Sequence, residues 1–140
     1  MHQRRLFTIG FTKKSAEAFF TALTTAGVRR IIDVRLNNTS QLAGFAKYRD
    51  LPYLLRTVAS IDYLYCPELA PTASVLAAFK KNGGDWDLYK AEYRRLLEDR
   101  GVAVTLHDKL RDNDCLLCSE STPEHCHRRL AAEYLQEKWG

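Results

Sequence analysis

Apolar positions along the chain alternate between two periods. RLFTIG (Arg5 to Gly10) is a short β-type run closed by glycine. Beyond it Ser15 is placed to cap a helix in which Phe19, Phe20, Leu23 and Ala26 recur at helical spacing, and Gly27 ends that helix. VRRIIDV (Val28 to Val34) is rich in β-branched residues and of strand length. Strand, helix, strand within 35 residues is a βαβ unit, so its strands must be parallel with a right-handed crossover. In open parallel sheets ligands gather beyond the carboxyl ends of the strands, which here carry Gly10-Phe11-Thr12 and Asp33-Val34-Arg35.

The polar loop LNNTSQLAG precedes a segment in which Asp50 is expected to cap a helix that tolerates Pro52 in its first turn. DYLYC (Asp62 to Cys66) reads as a third strand stopped by Pro67. Thr72 to Lys81 reads as a short helix ended by Gly83-Gly84, and Asp85 to Asp99 as a helix with Trp86, Tyr89, Tyr93, Leu96 and Leu97 on one face. In VAVTLHDKL, Val102, Val104 and Leu106 alternate like a strand, yet Val102, Ala103, Leu106 and Leu110 make a helical stripe; the helix is preferred. CLLCS (Cys115 to Ser119) is the last strand, and Thr122-Pro123-Glu124 carries the signals of a helix start. The expected architecture is one α/β domain over residues 1–140, Rossmann-like, with a mainly parallel sheet of four or more strands flanked by helices.

Composition changes this picture little. Apolar residues make up 46% and charged residues 27% of the 140 positions, an ordinary globular balance. No segment approaches the roughly 18 consecutive apolar residues of a membrane span, and the N-terminus lacks a signal-peptide core, so a soluble, cytoplasmic protein with no membrane partner is expected. Four cysteines are too few and too clustered for a secreted disulfide framework, which points to reduced thiols or metal ligands. Charge is uneven: residues 1–60 hold ten Lys/Arg against three Asp/Glu, and 61–140 hold eleven against fourteen. Such asymmetry suits an anionic partner or a solvated face.

The chemistry concentrates in LLCSESTPEHCHRR, Leu116 to Arg129. With the last helix starting at Pro123, Leu130, Ala131, Tyr134 and Leu135 form the stripe that faces the sheet, and His127 falls in the middle of it. Arg129 and Glu133 point away, Cys126 lies at one edge, and Arg128 lies at the other, either salt-bridged on the surface or curled over the helix start. Period two puts Cys118 and Glu120 on one side of the strand. Four readings compete. Zinc would need Cys115 and Cys118 on one ion, but residues three apart on a strand face opposite sides, so no metal or other cofactor is assigned. Cys118 near a helix start is a candidate nucleophile with His127 as base. A bland core of small buried thiols is the third. The fourth is an anion pocket of helix N-terminus, Arg35, Arg128 and the backbone at Gly10, although Asp33-Arg35 and Glu120-Arg128 are also able to close as internal ion pairs.

TIG (8–10), DVR (33–35), Ser40, Phe45, Cys118-x-Glu120 and CHR (126–128) together resemble the bacterial and archaeal family called domain of unknown function 488, in order along nearly the whole chain. Members commonly read TIG-His/Tyr-Ser and DVR-x-x-Pro-x-Ser, where this chain has Phe11-Thr12 and Asn38. The resemblance implies a helix at 102–111 and a polar site at the strand ends, and it supplies no activity. The functional expectation is a pocket for a phosphate-bearing small molecule, such as a nucleotide, or for single-stranded nucleic acid. Arg35 and Arg128 would meet phosphate, with Gly10, Thr12, Asp33, Ser40 and Cys126 around it. Phe45 and Tyr48 would stack a base, and Cys118, Glu120 and His127 are the catalytic candidates. The competing class is a non-enzymatic scaffold with an internal polar network, or a small zinc module.

Overall fold

The computed structural model describes residues 5–11, 14–35, 44–47, 49–81, 85–118 and 127–139. Four strands, β1 (Leu6–Gly10), β2 (Arg30–Asp33), β3 (Asp62–Tyr65) and β4 (Asp114–Cys118), form one sheet in the order β1-β4-β2-β3, every pair parallel. Among the described residues six α-helices accompany them: α1 (Ala16–Ala26), α2 (Leu51–Ala59), α3 (Ala73–Lys81), α4 (Trp86–Arg100), the single turn α5 (Val102–Thr105) and α6 (His127–Trp139). This is the α/β arrangement expected from the sequence. Among the described residues, no helix is long and apolar enough to cross a membrane.

Strand order dictates which face each helix covers. From β1 to β2 to β3 the chain steps across the sheet in one direction, and right-handed crossovers then put α1 and α2 on the same face. From β3 to β4 it steps back, which sends the intervening helices to the other face. The two cores record this. Phe19, Phe20 and Leu23 of α1 and Leu51 and Leu55 of α2 pack on Ile31, Cys115 and Leu117. Tyr93 and Leu97 of α4, Val102 of α5 and Ala131, Tyr134 and Leu135 of α6 pack on Ile32, Leu116 and Cys118. All five residues of β4 are buried, as befits a strand with neighbours on both sides and helices on both faces.

Local signals explain most boundaries. Ser15 accepts from the Ala18 N–H at 3.0 Å and Asp85 from the Leu88 N–H at 3.1 Å, each satisfying an orphan donor of its helix. Asp50 does not do this: its backbone is already helical at φ −109°, ψ −30°, and its side chain makes no capping bond. The segment after Gly101 is helical only to Thr105. Beyond it single turns keep Leu106 and Leu110 buried at the helical spacing set by Val102, so the stripe was right and a continuous helix over 102–111 was not. The loop 36–43, Gly83-Gly84 and the start signal Thr122-Pro123-Glu124 lie outside the described residues.

Gly101 closes α4 in the left-handed conformation, φ +64°, and its N–H bonds the Glu98 and Leu97 carbonyls. A Cβ there would meet open space, so the cost of Gly101→Ala is conformational alone. It is expected to lower unfolding free energy by about 1 kcal/mol in urea titrations. A cost near zero would mean the turn opens without consequence.

Candidate functional site

The carboxyl ends of β1, β4 and β2 lie side by side, with Gly10 in register with Cys118 and Asp33 with Leu117. β1 sends its chain to α1 on one face while β4 is followed by α6 on the other. This divergence at neighbouring strands is the geometry that opens a crevice in parallel sheets. Around it the sequence candidates separate into two groups, one on each face.

On the α1 and α2 face the polar residues are locked to one another. The Arg35 guanidinium donates from Nε to Asp33 Oδ1 and from Nη2 to Asp33 Oδ2, both at 2.8 Å, and from Nη1 to the Ala46 carbonyl at 2.5 Å. The Tyr63 hydroxyl donates to Asp33 Oδ2, and the Arg35 backbone N–H to Asp33 Oδ1. Asp33 is 0% and Arg35 2% exposed, and the guanidinium also lies 5.5 Å from the centre of the Phe11 ring. The internal ion pair that the sequence left open is thus formed, and Arg35 is spent holding the chain after β2 to the turn Gly44–Ala46. Phe45 is half-buried and tilts against Phe19 and Phe20, 5.3 and 6.0 Å between ring centres, as an extension of the core.

On the α4 and α6 face the start of α6 closes over the strand ends. His127 Nε2 donates to the Val34 carbonyl at 2.7 Å, which fixes the tautomer with the proton on Nε2. Its ring meets Tyr93 edge-on at 5.8 Å. Burial pushes the His127 pKa down to about 4, and the Arg128 charge adds to this, against the favourable Val34 bond. The imidazole is therefore neutral at pH 7 and a weak base. Arg128 is 2% exposed, so it does not lie on the surface, and its Nη1 donates to Cys118 Sγ at 3.3 Å. Its neighbour Arg129 makes the surface pair, with Glu133 at 2.8 Å.

Cys118 is disulfide-bonded, with its partner outside the described residues, whereas Cys66 and Cys115 are free and buried. The expectation of reduced thiols thus holds at Cys66 and Cys115 and fails at Cys118, because composition excludes a framework of disulfides but not one crosslink. In this state Cys118 offers no thiolate. Cys115 faces the α1 core and Cys118 the α6 core, as strand parity requires. Among the described residues no group of three or more His, Cys, Asp or Glu side chains could hold a metal ion. Thr12, Ser40, Tyr48, Glu120 and Cys126 lie outside the described residues.

Sequence reasoning passed over Lys14. A pocket of about 300 Å³ opens between β1 and α1, and Gly10, Lys14 and Arg128 line one part of it. The Lys14 pKa is lowered, first by burial and then by the positive charge of Arg128. The available signal was position: Lys14 follows the carboxyl end of β1 by four residues and precedes the Ser15 cap.

Two outcomes test this account. Asp33→Asn leaves the Arg35 charge buried without its counterion and should cost about 3–5 kcal/mol, whereas Asp33→Leu with Arg35→Met should cost less than that single change. A loss under about 1 kcal/mol for Asp33→Asn in urea titrations would refute the ion pair as a structural lock. For His127 the folded pKa of about 4 lies below the ordinary value of 6.5, so the unfolded chain binds the proton first as pH falls. Its contribution is whole above pH 6.5 and is lost progressively down to about pH 4, on the order of 2 kcal/mol since the ring is only partly buried. His127→Gln should flatten that part of the stability profile; an unchanged slope would place the titration elsewhere.

No curated protein and no solved structure matched the chain. The family model Domain of unknown function DUF488 matches residues 15–135, from the cap of α1 to the last buried leucine of α6. The chain belongs to that family of unknown function.

Proposed function

We propose that this protein binds a phosphate-bearing ligand in the pocket between β1 and α1, with Lys14 and Arg128 meeting the phosphate. The single observation that carries this reading is the convergence of those two cations on one pocket beside the carboxyl end of β1. A phosphate group placed there would be met by two cationic donors, and charge-assisted hydrogen bonds of that kind are the strong ones. The neutral His127 and the disulfide at Cys118 favour binding over acid–base or thiol chemistry in this state. Nucleotides and single-stranded nucleic acid are the ligand classes the sequence suggested. A scaffold reading has its own support in the Asp33–Arg35–Tyr63 network, which accounts for the polar residues at the β2 end without a ligand.

The test is a thermal-shift titration of the whole chain with inorganic phosphate and mononucleotides. Binding to the native state raises the midpoint with ligand concentration, and Lys14→Gln should weaken that binding roughly tenfold or more. Because an anion restores the Lys14 pKa, affinity should fall with rising pH earlier than for an ordinary lysine. If no phosphate compound shifts the midpoint, the scaffold reading stands in its place.

A further inference from the structure

The pocket does not stop at its two cations. It runs along β1 as a trough whose walls are Phe7, Ile9, Leu23 and Val28, and two small residues of α1, Ala22 and Ala26, leave it its width. Cys115 completes the lining as a free buried thiol, and burial drives its pKa to about 12, so it is a neutral, apolar surface at any ordinary pH. Among the described residues of the trough's strand and helix walls, Thr8 is the one with a polar side chain.

A sugar or a nucleobase laid against such walls would lose water from many donors and acceptors and regain few bonds, a poor exchange. A hydrocarbon chain or ring would lose only unfavourable hydration. From the pairing of a cationic end with an apolar trough, we infer that the ligand is a small phosphate monoester whose organic part is apolar, alkyl or aryl, with phosphate between Lys14 and Arg128 and its hydrocarbon beside Ala22 and Ala26. This rests on the phosphate reading of the Lys14–Arg128 end and narrows it.

The experiment is calorimetric titration of the full chain with inorganic phosphate, ethyl, butyl and hexyl phosphate and adenosine monophosphate. Affinity should rise by about fourfold for each methylene buried and level off once the trough is full. Lys14→Gln should weaken every member of the series by a similar factor. Ala22 and Ala26 are exposed on α1, so Ala22→Phe, with Ala26→Leu as a second variant, can fill the trough without disturbing the core and should abolish the dependence on chain length. Inorganic phosphate binding with no gain along the series would overturn the apolar trough and leave the phosphate site standing. A gain along the series that ignores Lys14→Gln would overturn the phosphate site itself. Adenosine monophosphate binding more tightly than hexyl phosphate would decide for a nucleotide and against this inference, as would chain-length dependence that survives both trough variants.

Discussion

β4 hydrogen-bonds to β1 on one side and β2 on the other, and almost everything else in the molecule is arranged around that double pairing. A parallel strand in this position has no face or edge open to water, so helices must cover both sides of it. Its placement between two strands made much earlier forces the chain to reverse direction across the sheet. That reversal puts α1 and α2 on one face and α4 and α5 on the other, where α6 joins them.

Charge at the carboxyl ends of the strands is handled in two different ways. The Asp33–Arg35 pair is complete: carboxylate and guanidinium meet at two nitrogens, and the remaining capacity goes to Tyr63 and the Ala46 carbonyl. Such a pair gains little net stability, yet it fixes geometry, because either partner alone would be a buried charge. Arg128 is equally buried but faces a sulfur atom and, across the pocket, a lysine. At the carboxyl end of the sheet the β2 side is thus an internal ion pair, whereas the β1 side brings Lys14 and Arg128 to a pocket. The neutral His127, anchored to the Val34 carbonyl, stands between them and ties α6 to the chain after β2.

Much of the fold was readable from the chain alone, for physical reasons. The Ser15 hydroxyl, the left-handed glycines after α1 and α4, and the β-branched run at 28–34 act through local geometry, which a sequence displays directly. Strand parity likewise separated Cys115 from Cys118. What the pattern could not give depends on approach direction. Asp50 has a capping side chain, but its own backbone is already helical and the Lys47 carbonyl takes the Asp50 and Leu51 N–H groups, so the carboxylate makes no capping bond. A wheel places Arg128 at the edge of a stripe without saying how far its long side chain tucks inward. Lys14 is unremarkable as a sequence position and becomes informative only when α6 brings a second cation to it.

The late position of the central strand has a consequence for how the chain acquires its structure. β2 and β3 are neighbours in sequence, both within residues 30–65, but β1 has its pairing partner at residues 114–118. During synthesis the first strand waits for a partner that emerges more than a hundred residues later, and loop closure over that distance is entropically slow. Until β4 inserts, the strands beside its future place expose unpaired backbone edges, the surface through which nascent chains associate wrongly. Pairing at the β1–β4 junction thus both seals the sheet and brings Cys115 to the wall of the pocket beside β1.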